Sequence, residues 1–289
     1  MRKTRVAICV LFAVTSIIFA AYIIMVRQLE DHTPPTITCT ENTLSVSVTA
    51  EDTELLQGIS ANDNKDGDIT DSIRISGMSH FIEKGRRTIT YIVFDEANQA
   101  GSVERTLIYT DYTSPKIYLS QPLRYSISDY YNANLNENMT AEDCLDGDIT
   151  NQIRVSKSEA FYYEAGEADI TVQVTNSAGD VCVIPMKVSI VDNSDSSELT
   201  KYYPVLSEYI VYTNIGNQLN LRDYVVGVEN RNIEYAFATS GSVLPLTAGD
   251  IQVESAVDYS QAGVYEVKYS YTSLEGISAV TRLYVVVEE

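Results

Sequence analysis

The chain contains no Trp, only two His (His32 and His80) and four Cys in 289 residues, and its 20 basic side chains face 40 acidic ones. Each shortage removes a class of protein. Two His, one beside the apolar N-terminus and one in a loop, are too few for a His-centred nucleophilic triad or a zinc cluster. A formal net charge of −20 repels phosphate backbones and anionic headgroups, which excludes nucleic-acid binding and favours cations or basic partners. No glycine-rich phosphate loop, HExxH or GxSxG motif occurs. The lack of a Cys–Trp–Cys pattern excludes antibody-type domains. After the first 26 residues there is no second membrane-length apolar run and no amphipathic helix of usual length. The reading is of a chain that is not an enzyme and has no assigned catalytic or cofactor residues.

Cysteine usage is equally sparse. Cys9 lies in the apolar run, leaving Cys39, Cys144 and Cys182, an odd number that cannot form a full disulfide framework. Cys39 stands where a later copy of the same segment has Leu119, so it reads as a small core hydrophobe. Cys144 and Cys182 fall in one repeat and either pair or remain free thiols.

What is present begins with a membrane element. Arg2, Lys3 and Arg5 precede an unbroken apolar run from Val6 to Val26, followed by Arg27. About 20 apolar residues span a bilayer as a helix, and the positive flank keeps the N-terminus in the cytoplasm. A cleaved signal peptide has an apolar region of about 7–15 residues and a small-x-small site just after it. Here Ile23-Ile24-Met25-Val26 continues past Ala20-Ala21. Residues 6–26 are therefore expected to be an uncleaved signal anchor in the cell membrane, with residues 1–5 a cytoplasmic tip and the rest extracellular.

The remainder repeats. Asp63-Asn64-Lys65-Asp66-Gly67-Asp68-Ile69-Thr70 returns as Asp143-Cys144-Leu145-Asp146-Gly147-Asp148-Ile149-Thr150, 80 residues later. That spacing suits a whole small β-domain rather than a solenoid unit. Downstream, Gly85 matches Gly166, and each glycine opens an alternating strand, a short turn and a second strand. Gly263-Val264-Tyr265 opens a third such hairpin without the acidic turn, of which Gly249-Asp250-Ile251 is at most a remnant. The expected organisation is a linker at 27–33, repeat 1 at 34–113, repeat 2 at 114–193, a polar linker at 194–200 and a divergent third domain at 201–289. The fold class is all-β, tandem immunoglobulin-like β-sandwich domains after one N-terminal transmembrane helix.

The run from Ala61 to Thr70, the strand from Gly85 to Val93, Asp95-Glu96-Ala97-Asn98-Gln99 and the closing Asp111…Pro115 resemble the bacterial immunoglobulin-like repeat of cell-surface proteins. That repeat type also occurs as accessory domains of pesticidal crystal proteins. Repeat 1 departs from its pattern at Asn98 and Gln99, and repeat 2 at Asn176 and Asp180. The resemblance implies surface display, spacing or adhesion rather than a reaction, with an unknown surface protein or glycan as partner. A second role consistent with the sequence is an accessory subunit of an envelope or cell-wall machine that docks a protein through the third domain.

The acidic turns admit two readings. Closely spaced carboxylates repel one another unless a cation or donors neutralise them, and calcium takes irregular sets of oxygen ligands. On that reading Asp63, Asp66, Asp68, Asp143, Asp146 and Asp148 are candidate calcium ligands, in a cadherin-like junction with a linker acid such as Asp111. An EF-hand is excluded, because Ile73 and Ile153 fall where its bidentate Glu is required. On the other reading the motif is a turn, with Asp-Gly supplying the left-handed residue and Asp and Thr bonding nearby amides. Asp66, Gly67, Ile69 and Ile73 are structural on either reading. Tyr125, Tyr130, Tyr131, Tyr162 and Tyr163 are a candidate carbohydrate-stacking face, or strand-face filling.

Overall fold

Apolar residues on every side of the first helix, α1 (Arg2–Leu29), leave it no polar face, and its side chains from residue 2 to 25 are all exposed. It is long and apolar enough to cross a membrane, criteria that an N-terminal signal sequence also meets. The computed structural model describes residues 2–29, 31–157, 164–237 and 246–289. The chain divides into two compact units, Met1–Tyr112 and Thr113–Glu289.

In the first unit the strands are β1 (Thr36–Cys39), β2 (Thr43–Val46), β3 (Ile59–Asp63), β4 (Gly67–Asp68), β5 (Arg74–Met78), β6 (Arg86–Phe94) and β7 (Ala100–Tyr109), with the helical turn α2 (Asp52–Leu55) between β2 and β3. They form two sheets, β1-β3-β4 and β2-β7-β6-β5. Alternation decides the facing: Ile89, Tyr91 and Val93 of β6 are fully buried, while intervening residues turn outward. Ile37, Ala61, Ile73 and Leu107 complete the core, with Cys39 packed against it. The Tyr91 hydroxyl donates to the Leu55 carbonyl at 2.7 Å, satisfying the end of α2 from within the core.

The second unit repeats this plan twice. Its first sandwich holds β8 (Lys116–Leu119), β9 (Arg124–Ser126), the turn α3 (Ile127–Tyr130), β10 (Met139–Asp143), β11 (Gly147–Asp148), β12 (Arg154–Lys157), β13 (Gly166–Thr175) and β14 (Val181–Val191). Its sheets are β11-β10-β8 and β12-β13-β14-β9. The last sandwich holds β15 (Tyr203–Leu206), β16 (Ile210–Asn214), β17 (Val225–Asn230), β18 (Ile233–Ala236), β19 (Gln252–Ser255), β20 (Gly263–Thr272) and β21 (Ser278–Glu288). These pair as β15-β17-β18 and β16-β21-β20-β19. In all three sandwiches an early strand lies parallel to the closing one: β2 on β7, β9 on β14 and β16 on β21.

One hydrophobic core runs through both sandwiches of the second unit. At their seam the Tyr212 hydroxyl donates to the Ile117 carbonyl at 2.9 Å and accepts from the Ile117 N–H at 2.7 Å. Tyr284 accepts from the Lys187 N–H at 2.7 Å, and Arg124 pairs with Glu229 at 2.7 Å. Arg282 bridges Glu266 and Glu167. Residues 194–200, read from composition as a linker, hold a 3-10 turn at Glu198–Thr200 whose Glu198 pairs with Lys201 at 2.6 Å.

Cys144 and Cys182 do not pair. Both are free thiols. Cys144 donates to the Thr113 carbonyl at 3.1 Å, whereas burial beside Tyr212 pushes the Cys182 thiol up to about 11. The segment Gly249-Asp250-Ile251 keeps a different part of the motif than the acidic turn. A capping box between Thr247 and Asp250 starts a 3-10 turn, and Ile251 is buried as Ile73 and Ile153 are after theirs. The core-plugging isoleucine survives there and the carboxylates do not.

Candidate metal centre

The two acidic turns are built alike. β3 turns tightly into β4, pairing Asp63 with Gly67, and β10 turns into β11, pairing Asp143 with Gly147. Gly67 and Gly147 have φ of +74° and +70°. A Cβ at either would meet nothing within 4 Å, so the left-handed backbone and not crowding calls for glycine.

Most of the carboxylates are spent on amides. Asp63 Oδ2 accepts from Lys65 N at 2.7 Å and Asp66 N at 3.1 Å, and Asp143 Oδ2 accepts from Leu145 N and Asp146 N at 2.8 and 3.0 Å. Asp68 and Asp148 accept from the N–H of Thr70 and Thr150 at 3.0 and 2.9 Å. Those threonine hydroxyls in turn accept from Ala61 N and Ala141 N, both at 3.0 Å. Asp66 takes the Glu96 N–H at 2.7 Å, and Asp146 takes the Ser177 N–H at 2.6 Å. These bonds hold the turns together. The Lys65 and Asp66 amides hold the Asp63 carboxyl below the usual range, and Thr70 and Thr150 do the same for Asp68 and Asp148.

Of the six acids the sequence nominated, one enters a cluster. Carboxylate oxygens of Asp31, Asp63 and Asp95 all lie within 4.8 Å of one another. Asp63 comes from the end of β3, Asp95 from the β6–β7 turn, and Asp31 from the segment between α1 and β1. Asp63 and Asp95 are buried, at 5% and 7% exposure. Asp95 Oδ1 accepts from Gln99 N at 2.7 Å, and Asp31 Oδ1 accepts from Thr33 N at 3.0 Å. Asp95 Oδ2 is buried and has no hydrogen-bond partner among the described residues. The Asn64 side-chain amide lies 3.2 Å from both Asp63 Oδ2 and Asp31 Oδ2. Its NH2 end can bridge the two acids, or its carbonyl can face a cation alongside them.

The second sandwich arranges the same place differently. Asn176 occupies the turn position of Asp95, and its Nδ2 donates to Asp143 Oδ1 at 3.0 Å while its Oδ1 accepts from Asp180 N at 2.9 Å. Cys144 stands at the position of Asn64. Asp111, the linker acid considered with the first turn, is occupied by Ser47 Oγ at 2.7 Å and Val48 N at 2.8 Å.

Sequence reasoning missed Asp31 and Asp95. A signal for Asp31 existed: Asp31-His32-Thr33-Pro34-Pro35 repeats as Asp111-Tyr112-Thr113-Ser114-Pro115, 80 residues later. The described aromatic candidates differ in exposure, and Tyr130 meets Tyr131 edge-on with ring centroids 5.9 Å apart. Tyr130 is buried at 2% exposure, Tyr125 is half-buried, Tyr131 is exposed, and Tyr162 and Tyr163 lie outside the described residues. His80 is an exposed residue that joins no candidate cluster.

No family model matches the chain. It is similar to the pesticidal crystal protein Cry22Aa of Bacillus thuringiensis, 25% identical over 232 residues, covering 78% of this chain and 29% of that protein. The chain thus spans under a third of the length of this relative. Among solved structures, a Clostridium perfringens ZmpB fragment with CBM51-2 in complex with GlcNAc and INT domains is 20% identical over 52% of this chain and 26% of its own, with a TM-score of 0.22. The Drosophila N-cadherin EC1-4 structure is 10% identical over 90% of this chain and 76% of its own, with a TM-score of 0.21.

Proposed function

We propose that this chain is a non-catalytic binding or spacer module displayed on the cell surface, held by α1 in the membrane with its sandwiches outside. The observation that carries the reading is the exposed apolar surface of α1, which none of the described residues covers, followed along the chain by an acidic set of β-sandwiches. A helix apolar on all sides is stable only in lipid or in a protein core. Arg2, Lys3 and Arg5 at its N-terminal end orient the N-terminus inward. The repeat pattern and its resemblance to bacterial immunoglobulin-like surface repeats support this reading, and the similarity to 29% of a pesticidal crystal protein agrees with a modular chain.

Protease treatment of intact cells tests this. Loss of the sandwiches, with α1 retained in the carbonate-washed membrane fraction, is the expected result. A mature chain starting after residue 20 and released to the medium overturns the anchor. Turnover by the purified chain that a single substitution abolishes overturns the non-catalytic reading. A second reading, docking of an envelope protein through residues 201–289, draws on the loss of the acidic turn in that sandwich alone.

A further inference from the structure

We infer that Asp31, Asp63 and Asp95 of the first sandwich hold one calcium ion, with the Asn64 carbonyl as a fourth oxygen, and that the second sandwich has given up this site through Asn176 and Cys144. The inference stands on side chains alone and does not depend on where the chain is displayed.

Three carboxylates converge within 4.8 Å, and one oxygen of the buried Asp95 has no donor. A buried carboxylate with an unpartnered oxygen beside two other carboxylates is unfavourable unless a proton or a cation joins them. The second sandwich is an internal control. There Asn176 takes the place of the acid, and its Nδ2 satisfies Asp143 at 3.0 Å. The first sandwich keeps the acid at Asp95, whose buried Oδ2 has no donor among the described residues, and a cation completes that arrangement. All donors are oxygens, with no His or Cys in the cluster, which selects a hard ion over zinc or copper. Four irregular protein oxygens, with waters filling the remaining positions, suit the flexible coordination of calcium better than the strict octahedron of magnesium.

Asp31 gives the site its consequence. It lies in the connector between the end of α1 at Leu29 and the start of β1 at Thr36. An ion shared by Asp31, Asp63 and Asp95 pins that connector to the β3–β4 and β6–β7 turns. Calcium would then fasten residues 31–35 to the turns of the sandwich.

Thermal unfolding of the full chain in detergent, chelator-stripped and then titrated with calcium, tests the site. The transition of the first unit is expected to rise by about 5–15 °C at calcium well above the dissociation constant. Asp95→Asn copies the second sandwich and should abolish the calcium response while leaving the calcium-free midpoint equal or higher. Asp31→Ala, outside the sandwich core, should weaken calcium binding by ~10-fold or more without altering the calcium-free transition. Asp66→Asn should keep the full response, because Asp66 serves the Glu96 amide. Equal midpoints in calcium and chelator for the parent chain, or an undiminished shift in Asp95→Asn, overturn the inference.

Discussion

Asn176 donates its side-chain amide to Asp143 at 3.0 Å, across the same turn in which the first sandwich sets Asp95 against Asp63. One repeat closes its acidic turn with the Asn176 amide, and the other sets Asp95, whose buried Oδ2 has no partner among the described residues, beside Asp63 and Asp31. Replacing Asn176 by Asp removes the donor and opposes two buried carboxylates. The Thr113–Glu289 unit should lose about 1–3 kcal/mol, read as a lower urea midpoint at unchanged slope, while the Met1–Tyr112 transition stays in place.

Tyr212→Phe keeps the ring and deletes the hydroxyl that serves both the N–H and the carbonyl of Ile117. Two backbone groups lose their partner at the seam, so the second unit should be destabilised by about 1–3 kcal/mol. A stability equal to the parent would mean that water replaces the hydroxyl and that the seam rests on apolar contact alone.

Acid should weaken the fold through its turns. Asp63, Asp68, Asp111 and Asp148 sit below the ordinary carboxylate value of 3.8 because backbone amides and hydroxyls bond their ionised forms. A group whose folded value is depressed stabilises fully above its unfolded value and loses that contribution as pH falls through the folded one. Stability should be level from about pH 5 upward and fall progressively below 3.8, as equilibrium denaturation at stepped pH would show.

Burial raises the Cys182 thiol from 9.0 to about 11. Near pH 8 this cuts its thiolate fraction by ~100-fold relative to an exposed thiol, so alkylation of the native chain should leave Cys182 unmodified when denatured protein reacts fully. Mass spectrometry without reductant should show no peptide linking Cys144 to Cys182. A recovered disulfide would contradict the separate environments of the two thiols.

The parts that were legible in the sequence are those whose cause is local. Alternation in Thr88–Val93 and Asp169–Val174 specifies strands because every second side chain must face a core. Asp66-Gly67 and Asp146-Gly147 specify turns because only glycine is relaxed at positive φ. The metal cluster is a different matter. Proximity in sequence drew attention to Asp63, Asp66 and Asp68, yet alternation and turn geometry send those three side chains to different amides. The residues that meet Asp63 come from 32 positions on either side of it, Asp31 and Asp95. Such convergence follows from sheet pairing, which a linear pattern does not display. The seam between the second and third sandwiches was hidden for the same reason, since Tyr212 and Ile117 are strand residues like any other until two sheets meet.

The parallel pairing of an early strand with the last one, β2 on β7 and its two counterparts, bears on how the chain carries tension. When a sandwich is pulled from its two ends, strands paired in this sense slide along each other, and their rungs are strained together instead of parting one by one. Rupture under load follows the unfolding rate and not the equilibrium stability. Each sandwich therefore sets a parallel pair on its closing strand, which opposes sliding along the strands whatever its thermodynamic margin.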